Sequence, residues 1–349
     1  MTNTIDQTSQ TAAVRAQLYA DLTARSLAPL WSSLHDLVPS HPRSSMRPAL
    51  WRYSEVRPLL QRAGDVISTE EAIRRVLVLE NPGAPGTAAI TPTLYAGLQL
   101  LLPGEVAPAH RHTQSAFRLV IEGQGAFTTV CGERLTMHPG DLILTPSWEW
   151  HDHGHTGSEP VVWLDGLDIP LLRSLGIGFA ESAANKQQAV ATPDGHNAAT
   201  WGIGVRPPLS FRGPMRRVER FIYPFDQWRA ALDSLARAAT VAGDNSLTLE
   251  FSNPVDGGPI LPTMSAFCQL VPAGQCTHAS RRTDGMVFHV VEGLGSIEVG
   301  EFKHAVVARD TFVVPAWHSL RICAQSTLVL FSFSDKAVQD RLGIWRAEA

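Results

Sequence analysis

Two stretches of the chain decide its fold: residues 103–125, PGEVAPAHRHTQSAFRLVIEGQG, and residues 139–155, PGDLILTPSWEWHDHGH. Both combine a Pro-Gly turn signal with short runs of apolar residues, which is typical of β-strands joined by tight turns. Alternate residues of a strand face the same side, so His110 and His112 project together. A third imidazole from a later strand, assigned to His151, would complete a facial set. Neutral imidazoles bind Fe(II), Zn, Cu and Ni, and three of them leave coordination positions open.

The composition of the chain excludes several classes of protein. Of its 349 residues, 44% are hydrophobic and 18% are charged, and the formal net charge is −4. This balance lacks the basic stripe of a nucleic-acid-binding protein and the polybasic patch of a membrane-bound one. The longest apolar runs, at 98–103 and 328–333, are far too short to span a bilayer. We therefore expect small-molecule partners, no nucleic acid and no membrane.

The N-terminus and the cysteines predict a cytoplasmic protein. The chain does not begin with the basic start and apolar run of a signal peptide. The four cysteines form no CxxC pattern, which favours free thiols in a reducing compartment over a disulfide framework. They are Cys131, Cys268, Cys276 and Cys323.

The strand-like texture occurs twice, which predicts a mainly β chain with two related β regions. Shifting the first region by 170 positions aligns LQLLLPG with CQLVPAG and LVIEGQG with HVVEGLG, as expected for an internal duplication. The shift superimposes Gln99 on Gln269, Gly104 on Gly274, Glu122 on Glu292 and Gly123 on Gly293.

Helical spacing of apolar residues adds helices to this plan. It predicts helices over about 11–37, 69–75 and 225–242, and a short amphipathic tail. The polar run at 182–197 predicts a linker with a mobile loop. We therefore divide the chain into four segments: an N-terminal helical region at 1–75, a metal-binding β domain at 76–171, a linker with a helix at 172–244, and a second β domain with the tail at 245–349.

The histidine motifs resemble those of the cupin superfamily, whose domains are double-stranded β-helix barrels. The resemblance implies two such barrels per chain. Many cupins place a glutamate ligand where Ala116 stands, so this chain fits a three-histidine site better than a Glu-containing Mn site. The matching positions are Gly104, His110, His112 and Gly123 in the first cupin motif, and Gly140, Pro146 and His151 in the second.

The second copy has lost the histidine pair. Its equivalents of His110 and His112 are Ser280 and Arg282, and the third position falls at Leu320 or Arg321, because His318 is out of step. We expect no metal in the C-terminal barrel and assign that barrel to packing and assembly.

Longer strings resemble the gentisate 1,2-dioxygenases and their relatives that cleave salicylates and 1-hydroxy-2-naphthoate. The strings are RRVLVLENPG at 74–83, the whole of 93–123, PSWEWHDHG at 146–154 and WLDGLDIPL at 163–171. The resemblance covers most of the chain. It implies an Fe(II) enzyme that uses O2 to open the ring of a small aromatic 2-hydroxy acid between the carboxyl- and hydroxyl-bearing carbons, giving maleylpyruvate from gentisate. It also suggests a homotetramer.

Such a substrate needs a cation for its carboxylate, and arginine pairs with carboxylates bidentately. Arg118 lies six residues beyond His112 and therefore on the same strand face. A surface ion pair is its alternative role. The resemblance implies Arg74 or Arg75 as a second partner, and the spacing favours Arg74.

His153, Gln99 and Asp165 are further candidates. His153 would hydrogen-bond the substrate carboxylate, carry a proton near neutral pH, or support a metal ligand. Gln99 would donate to a substrate oxygen, unless it is a structural amide like Gln269. The resemblance implies that Asp165 contacts the ring hydroxyl or acts as a base, and an aspartate in a turn is the competing interpretation.

Tyr95 and Gly97 are expected to line the ring pocket. Some salicylate-cleaving relatives carry Trp where Tyr95 stands, so Tyr95 favours gentisate. His155 replaces the Asn common at that place in cupins, and the sequence assigns it no role.

Three functions stay open: a ring-cleaving dioxygenase acting on gentisate, salicylate, a 5-substituted salicylate or 1-hydroxy-2-naphthoate; an isomerase or decarboxylase using Mn or Zn; and a non-catalytic binding cupin. Ala116 disfavours the second function. The complete histidine trio beside Arg118 disfavours the third.

Overall fold

The computed structural model describes residues 3–202, 218–238 and 245–348 of the chain. The chain divides into two compact units, Met1–Arg43 and Ser44–Ala349. The first unit contains two helices, α1 (Asn3–Ala24) and α2 (Leu30–Leu37), where the sequence predicted one helix over 11–37. Pro29 immediately precedes α2, and proline removes a backbone donor, which explains the break.

The second unit is built mainly from antiparallel strands. Its helices are α3 (Tyr53–Val66), α4 (Thr69–Ala72), α5 (Ile169–Ser174), α6 (His196–Thr200), α7 (Phe225–Ala238) and α8 (Lys336–Arg341). Its N-terminal strands are β1 (Ala49–Trp51), β2 (Val76–Val78), β3 (Tyr95–Leu101), β4 (Val106–His112), β5 (Ala116–Glu122), β6 (Ala126–Val130), β7 (Glu133–Thr136), β8 (Leu142–Thr145), β9 (His151–His155), β10 (Val161–Leu167) and β11 (Ala180–Ser182). Its later strands are β12 (Ile222–Tyr223), β13 (Leu247–Glu250), β14 (Ser265–Val271), β15 (Arg281–Arg282), β16 (Met286–Glu292), β17 (Leu294–Val299), β18 (Phe302–Val307), β19 (Thr311–Val314), β20 (Leu320–Ala324), β21 (Leu328–Ser334) and β22 (Ala347–Glu348).

These strands form the two predicted cupin barrels. The N-terminal barrel combines a sheet of order β12-β8-β5-β10-β3-β2 with a sheet of order β11-β4-β9-β6-β7. The C-terminal barrel combines β1-β19-β16-β21-β14-β13 with β18-β17-β20. The two six-stranded sheets share one hydrophobic core, in which Phe117 of one barrel packs 4.7 Å, between ring centroids, from Phe333 of the other.

Strand register confirms the internal duplication. His110 lies opposite His151 in the first barrel, and Ser280 lies opposite Leu320 in the second. The third ligand position of the C-terminal barrel is therefore Leu320.

The two barrels exchange short strands. β1 opens the first repeat but pairs with β19 of the C-terminal barrel, and its counterpart β12 opens the second repeat but pairs with β8 of the N-terminal barrel. The residue that starts the next helix donates its backbone N–H to an aspartate in each case: Tyr53 to Asp310 at 3.0 Å and Phe225 to Asp141 at 2.8 Å.

A second reciprocal contact joins the barrels. Asp168 accepts hydrogen bonds from the Ser115 backbone at 3.0 Å and from the Thr263 hydroxyl of the C-terminal half at 2.5 Å. Its counterpart Asp335 accepts from the Gly285 backbone at 3.0 Å and is hydrogen-bonded by the Thr93 side chain of the N-terminal half. Two equivalent aspartates thus join the N-terminal and C-terminal barrels by the same kind of contact.

The prediction of free cysteines is wrong for one pair. Cys276 and Cys323 form a disulfide, while Cys131 and Cys268 are not disulfide-bonded. The two bonded residues are partners in an antiparallel bridge, with their Cα atoms 4.0 Å apart. A spacing of 47 residues gives no sign of that contact. Free thiols therefore no longer support a reducing compartment.

The connecting segments also differ from the sequence predictions. The helix expected over 69–75 ends at Ala72, and α7 is described only to Ala238, so the rest of the helix predicted to 242 lies outside the described residues. The run predicted to be a mobile loop is held against β4, since Lys186 O accepts from Ala109 N at 2.8 Å. None of the described helices has the length and apolar content needed to span a bilayer.

Candidate metal centre

Three imidazoles meet on the smaller sheet of the N-terminal barrel. His110 and His112 come from β4, and His151 comes from the neighbouring strand β9. One ligand atom from each lies within 4.8 Å of the other two. The register of β4 and β9 shifts between Ala107 and His110, so the ligand strand is irregular just where it enters the site.

Hydrogen bonds to the Nδ1 atoms, on the ring edge away from the converging Nε2 atoms, orient all three histidines. The Nδ1 atoms of His110, His112 and His151 lie 3.2, 2.8 and 2.9 Å from the backbone oxygens of Pro108, Gln114 and Glu149. A carbonyl only accepts, so the Nδ1 of His112 and of His151 carries the proton in that bond and the Nε2 keeps its lone pair. His110 adopts the same tautomer when its Nδ1 donates to Pro108 O. Buried His151 Nε2 has no hydrogen-bond partner among the described residues. This donor set fits a metal ion.

Burial keeps these ligands neutral. Burial, together with the nearby Arg74 and Arg118 charges, lowers the pKa of His110 to about 2 and that of His112 to about 4. The pKa of His151 is also lowered well below its ordinary value, mainly by burial. Neutral imidazole is the metal-binding form, so the site is ready to bind a cation over the physiological pH range.

Arg74 competes for one of these rings. Its Nη2 lies 2.7 Å from His110 Nδ1 and 3.5 Å from Pro108 O. Arginine has no acceptor, so it bonds to Nδ1 only when the His110 proton is on Nε2. A metal on Nε2 requires the opposite tautomer, in which Nδ1 donates to Pro108 O. Metal binding at His110 would therefore break the hydrogen bond between Arg74 and His110 Nδ1.

The larger sheet supplies the remaining charges from across the barrel. Arg118 on β5 and Asp165 on β10 are register partners, and Arg118 Nε lies 3.3 Å from Asp165 Oδ1. The contact is an ion pair without good hydrogen-bond geometry, because Arg118 Nε has no hydrogen-bond partner in the described part of the chain. Thr145 accepts a bond from Arg118 Nη1 at 3.2 Å, and Asp165 accepts one from Trp163 at 3.1 Å.

Burial shifts the titration of this pair as well. It raises the pKa of Asp165 to about 6, against the opposing effect of the Arg118 charge, and it lowers the pKa of Arg118. Burial likewise lowers the pKa of Arg74 to about 10. A buried guanidinium with incomplete hydrogen bonding is a strong site for a carboxylate.

His153 and Gln99 are buried beside these groups. The Thr128 hydroxyl lies 2.9 Å from His153 Nδ1, while His153 Nε2 has no partner among the described residues. Burial lowers the pKa of His153 well below its ordinary value. A neutral ring favours the hydrogen-bonding role over the proton-carrying one. Gln99 is the register partner of Trp163 and is almost fully buried.

Tyr95 and Gly97 lie together on β3. A Cβ added at Gly97 would come within 2.7 Å of the Tyr95 hydroxyl and 2.6 Å of a Val76 methyl carbon. Burial raises the pKa of Tyr95, so its phenol stays protonated. Gly97 therefore leaves room for Tyr95 to lie across this strand.

The comparisons with known proteins agree with this geometry. A family model described as a cupin domain matches residues 97–167. Gentisate 1,2-dioxygenase 1 from Aquipseudomonas alcaligenes is 43% identical over 332 residues, 95% of each chain. The chain belongs to the gentisate and salicylate 1,2-dioxygenase family.

Two further relatives show the breadth of this dioxygenase family. The 5-aminosalicylate 1,2-dioxygenase of a Comamonas species is 35% identical, over 95% of this chain and 89% of its own. The crystal structure of salicylate 1,2-dioxygenase from Pseudoaminobacter salicylatoxidans, solved as adducts with gentisate, matches with a TM-score of 0.90 and 35% identity. The match covers 96% of this chain and 93% of that one. The chain is accordingly a ring-cleaving dioxygenase.

Within this dioxygenase, the structure separates residues that the sequence left ambiguous. Arg75 forms two bonds to Glu105, at 2.9 and 3.0 Å, and two to Ile67 O, so it braces the fold while Arg74 faces His110. His155 also serves the fold: its Nε2 donates to Glu159 O at 2.5 Å, and its Nδ1 accepts from Gly157 N at 3.0 Å.

Sequence reasoning missed several supporting residues of the dioxygenase site. Thr128, Thr145 and Trp163 bond to His153, Arg118 and Asp165 respectively. Ordinary strand residues carry no signal of such contacts in a single sequence. Strand parity was the available clue, because Trp163 and Asp165 are two residues apart on one strand.

Proposed function

We propose that this dioxygenase is an Fe(II) enzyme that cleaves gentisate between its carboxyl- and hydroxyl-bearing carbons. The observation that carries the proposal is the convergence of three orientated Nε2 atoms on one sheet with the buried Arg118–Asp165 pair on the facing sheet. Bound Fe(II) would supply adjacent coordination positions for the hydroxy acid and for O2. We assign the metal to His110, His112 and His151.

The arginines hold the substrate carboxylate in this proposal. Arg118 is fixed by Thr145 and Asp165, and Arg74 adds a second cation. His153 donates from its unpartnered Nε2, and Gln99 donates from the neighbouring strand. These bonds place the ring in one orientation, which matters because proximity and alignment supply much of the rate of such reactions.

Asp165 is the proposed proton acceptor for the ring hydroxyl para to the metal-bound one. Its raised pKa of about 6 makes it a better base than an ordinary carboxylate, and its pairing with Arg118 keeps it ionised at neutral pH. Tyr95 and Gly97 shape the ring pocket. Tyr95, which stands where some salicylate-cleaving relatives carry Trp, supports gentisate over salicylate.

A substrate panel tests the assignment. Gentisate, salicylate, 5-aminosalicylate and 1-hydroxy-2-naphthoate are compared for O2 uptake and ring-opened product, using anaerobically purified protein. We expect the highest kcat/KM with gentisate and about one iron per chain, as one three-histidine site requires. A preference for 5-aminosalicylate or salicylate would keep the chemistry and change the substrate; the names of the Comamonas relative and of the solved structure support that second candidate. Full activity with Zn or Mn and no iron would remove the Fe(II) assignment.

We further propose a division of labour along the chain, with the metal-binding barrel at 76–171 and a metal-free, structural barrel at 245–349, joined by the linker and helix at 172–244. Residues 1–75 form the N-terminal region. Apolar side chains on α2, including Leu30, Trp31 and Leu34, are about half or more exposed, which supports a role in a homotetramer. Light scattering of the full chain, compared with a Trp31→Asp variant, tests the assembly.

A cytoplasmic location is also part of the proposal. It is supported by the need to keep the proposed iron ferrous, which a reducing compartment favours. Alkylation and mass spectrometry of protein taken directly from cells would report whether Cys276 and Cys323 are bonded there. A protein recovered only outside the cytoplasm would contradict this part of the proposal.

A further inference from the structure

The C-terminal barrel keeps a cavity where its twin holds the metal centre. The cavity has a volume of about 300 Å³, at the lower end of the range of about 300–1,000 Å³ for small-molecule sites. Ser280, Arg282 and Leu320 line it, and they occupy the positions of His110, His112 and His151. The barrel has therefore lost the metal ligands without filling the space.

The substitutions have changed the chemistry of this cavity in a consistent direction. Phe267, Phe288 and Ile322 line it where Gly97, Arg118 and His153 lie in the N-terminal barrel. One wall is thus apolar and aromatic. Such a wall favours a flat hydrophobic ring over a sugar or a polyol.

Arg282 supplies the cation of the cavity. Its Nε and Nη2 bond to the two carboxylate oxygens of Asp284 at 2.8 and 2.6 Å, and its side chain is 24% exposed. Asp284 is fully buried and also accepts a bond from Trp345 Nε1 at 2.8 Å. The Asp284 carboxylate therefore has its acceptors occupied by Arg282 and Trp345. Arg282 Nη1 does not bond to Asp284. A fixed guanidinium with a free edge is well suited to a second carboxylate.

Hydrogen-bonding groups surround the remaining rim. Gln269, the counterpart of Gln99, lines the cavity together with Thr277 and His318. Asp284 is the one acidic residue that lines the cavity among the described residues. A ligand with a single negative charge beside an aromatic ring would meet a complementary surface here.

We propose that the C-terminal barrel is a metal-free binding site for a small aromatic carboxylate, held by Arg282 in place of the metal and by the apolar wall formed by Phe267, Phe288 and Ile322. The inference goes beyond the proposed function, because the site binds without a metal and does not turn its ligand over. The chain would then have two sites. The second site would bind the same chemical class of ligand that the first site cleaves.

Benzoate is the probe for this site, because it lacks the ring hydroxyl through which a 2-hydroxy acid chelates a metal. Anaerobic equilibrium dialysis of radiolabelled benzoate against the iron-loaded full chain counts the bound equivalents. The matched variants are Arg118→Met in one barrel and Arg282→Met in the other. Leu320→Trp is a third variant, which fills the cavity while leaving the Arg282–Asp284 pair intact.

The expected result is one benzoate equivalent that persists in Arg118→Met and weakens at least tenfold in both Arg282→Met and Leu320→Trp. Iron content and near-ultraviolet circular dichroism confirm that each variant is folded. Loss of all benzoate binding in Arg118→Met would overturn the proposal. So would undiminished binding in the two C-terminal variants. Neither outcome depends on which substrate the iron site prefers, so a failed substrate panel and a failed benzoate titration are distinguishable.

Discussion

The two barrels place opposite chemistry at the same register positions. The N-terminal barrel places polar groups there, and several of their atoms, including His151 Nε2, His153 Nε2 and Arg118 Nε, have no hydrogen-bond partner among the described residues. The C-terminal barrel has apolar residues at most of these positions. The equivalent sets are His110, His112, His151, Arg118 and His153 in one barrel, and Ser280, Arg282, Leu320, Phe288 and Ile322 in the other.

This difference shows that the barrel fold forms without the three metal-binding histidines. The same strand order and register persist when the metal ligands are gone, so we infer that the histidines serve chemistry and not the fold. Five predictions test this comparison.

The largest effect is expected from His151→Ala. It removes the most deeply buried of the three ligands, and two imidazoles on one strand do not hold iron tightly. We expect loss of both bound iron and O2 uptake, measured by metal analysis and an oxygen electrode. His155→Ala is the matched control, because His155 bonds to Glu159 O outside the metal trio. O2 uptake that survives in His151→Ala would show that the third ligand is another residue.

Arg118→Met comes next, because it removes the buried cation proposed to hold the substrate carboxylate. We expect kcat/KM to fall about a hundredfold, equivalent to about 2.7 kcal/mol, with iron retained. Arg118→Lys should recover part of this loss, since it restores the charge without the fork of donors. If iron is lost together with activity, Arg118 supports the fold of the site instead.

The pH dependence of kcat/KM should show a limb near pH 6. Burial raises the pKa of Asp165 to about 6, so the carboxylate is ionised above that pH and neutral below it. We expect kcat/KM to fall as pH drops below about 6, by about tenfold per pH unit. The pKa of the ligand His112 is lowered to about 4, so iron should stay bound in this window. A limb that persists unchanged in Asp165→Asn would assign it to another group.

A combined variant should reverse the comparison. Ser280→His, Arg282→His and Leu320→His together place imidazoles at all three vacated positions of the C-terminal barrel. We expect metal content to rise from about one to about two ions per chain, measured by elemental analysis. Content that stays at one in a folded variant would show that the backbone of this barrel no longer supports the ligand geometry.

The smallest effect concerns the reciprocal contacts between the barrels. Asp168→Ala and Asp335→Ala each leave a buried backbone N–H without its acceptor. Each should lower the free energy of unfolding by about 1–3 kcal/mol in a denaturant titration. Similar losses of unfolding free energy in the two variants would support equivalent roles for Asp168 and Asp335. A negligible loss in one variant would show that the two contacts are not equivalent.

Much of this arrangement was predictable because its signals are local. Strand parity put His110 and His112 on one face, and the duplication identified two barrels and located the vacated positions to within one residue. The family resemblance supplied the gentisate and salicylate dioxygenase assignment. These features depend on spacing within single strands, which a sequence displays directly.

The remaining features depend on contacts between distant segments. The bond between Cys276 and Cys323, the Arg74 contact with His110 and the anchoring of Lys186 on Ala109 all join separate elements. The distinction between Arg74 and Arg75 likewise required the position of Glu105. A single sequence holds no record of which distant residues meet.

The exchanged strands have a consequence for how the chain is made. During synthesis, the residues of the catalytic barrel up to β11 emerge before β12, which completes the edge beside β8. β1 is synthesised more than 250 residues before β19, the strand with which it pairs. Neither barrel has all of its strands within one repeat, so a gene cut between β11 and β12 would yield two fragments that each carry an edge strand of the other barrel. We expect these fragments to regain structure only when mixed.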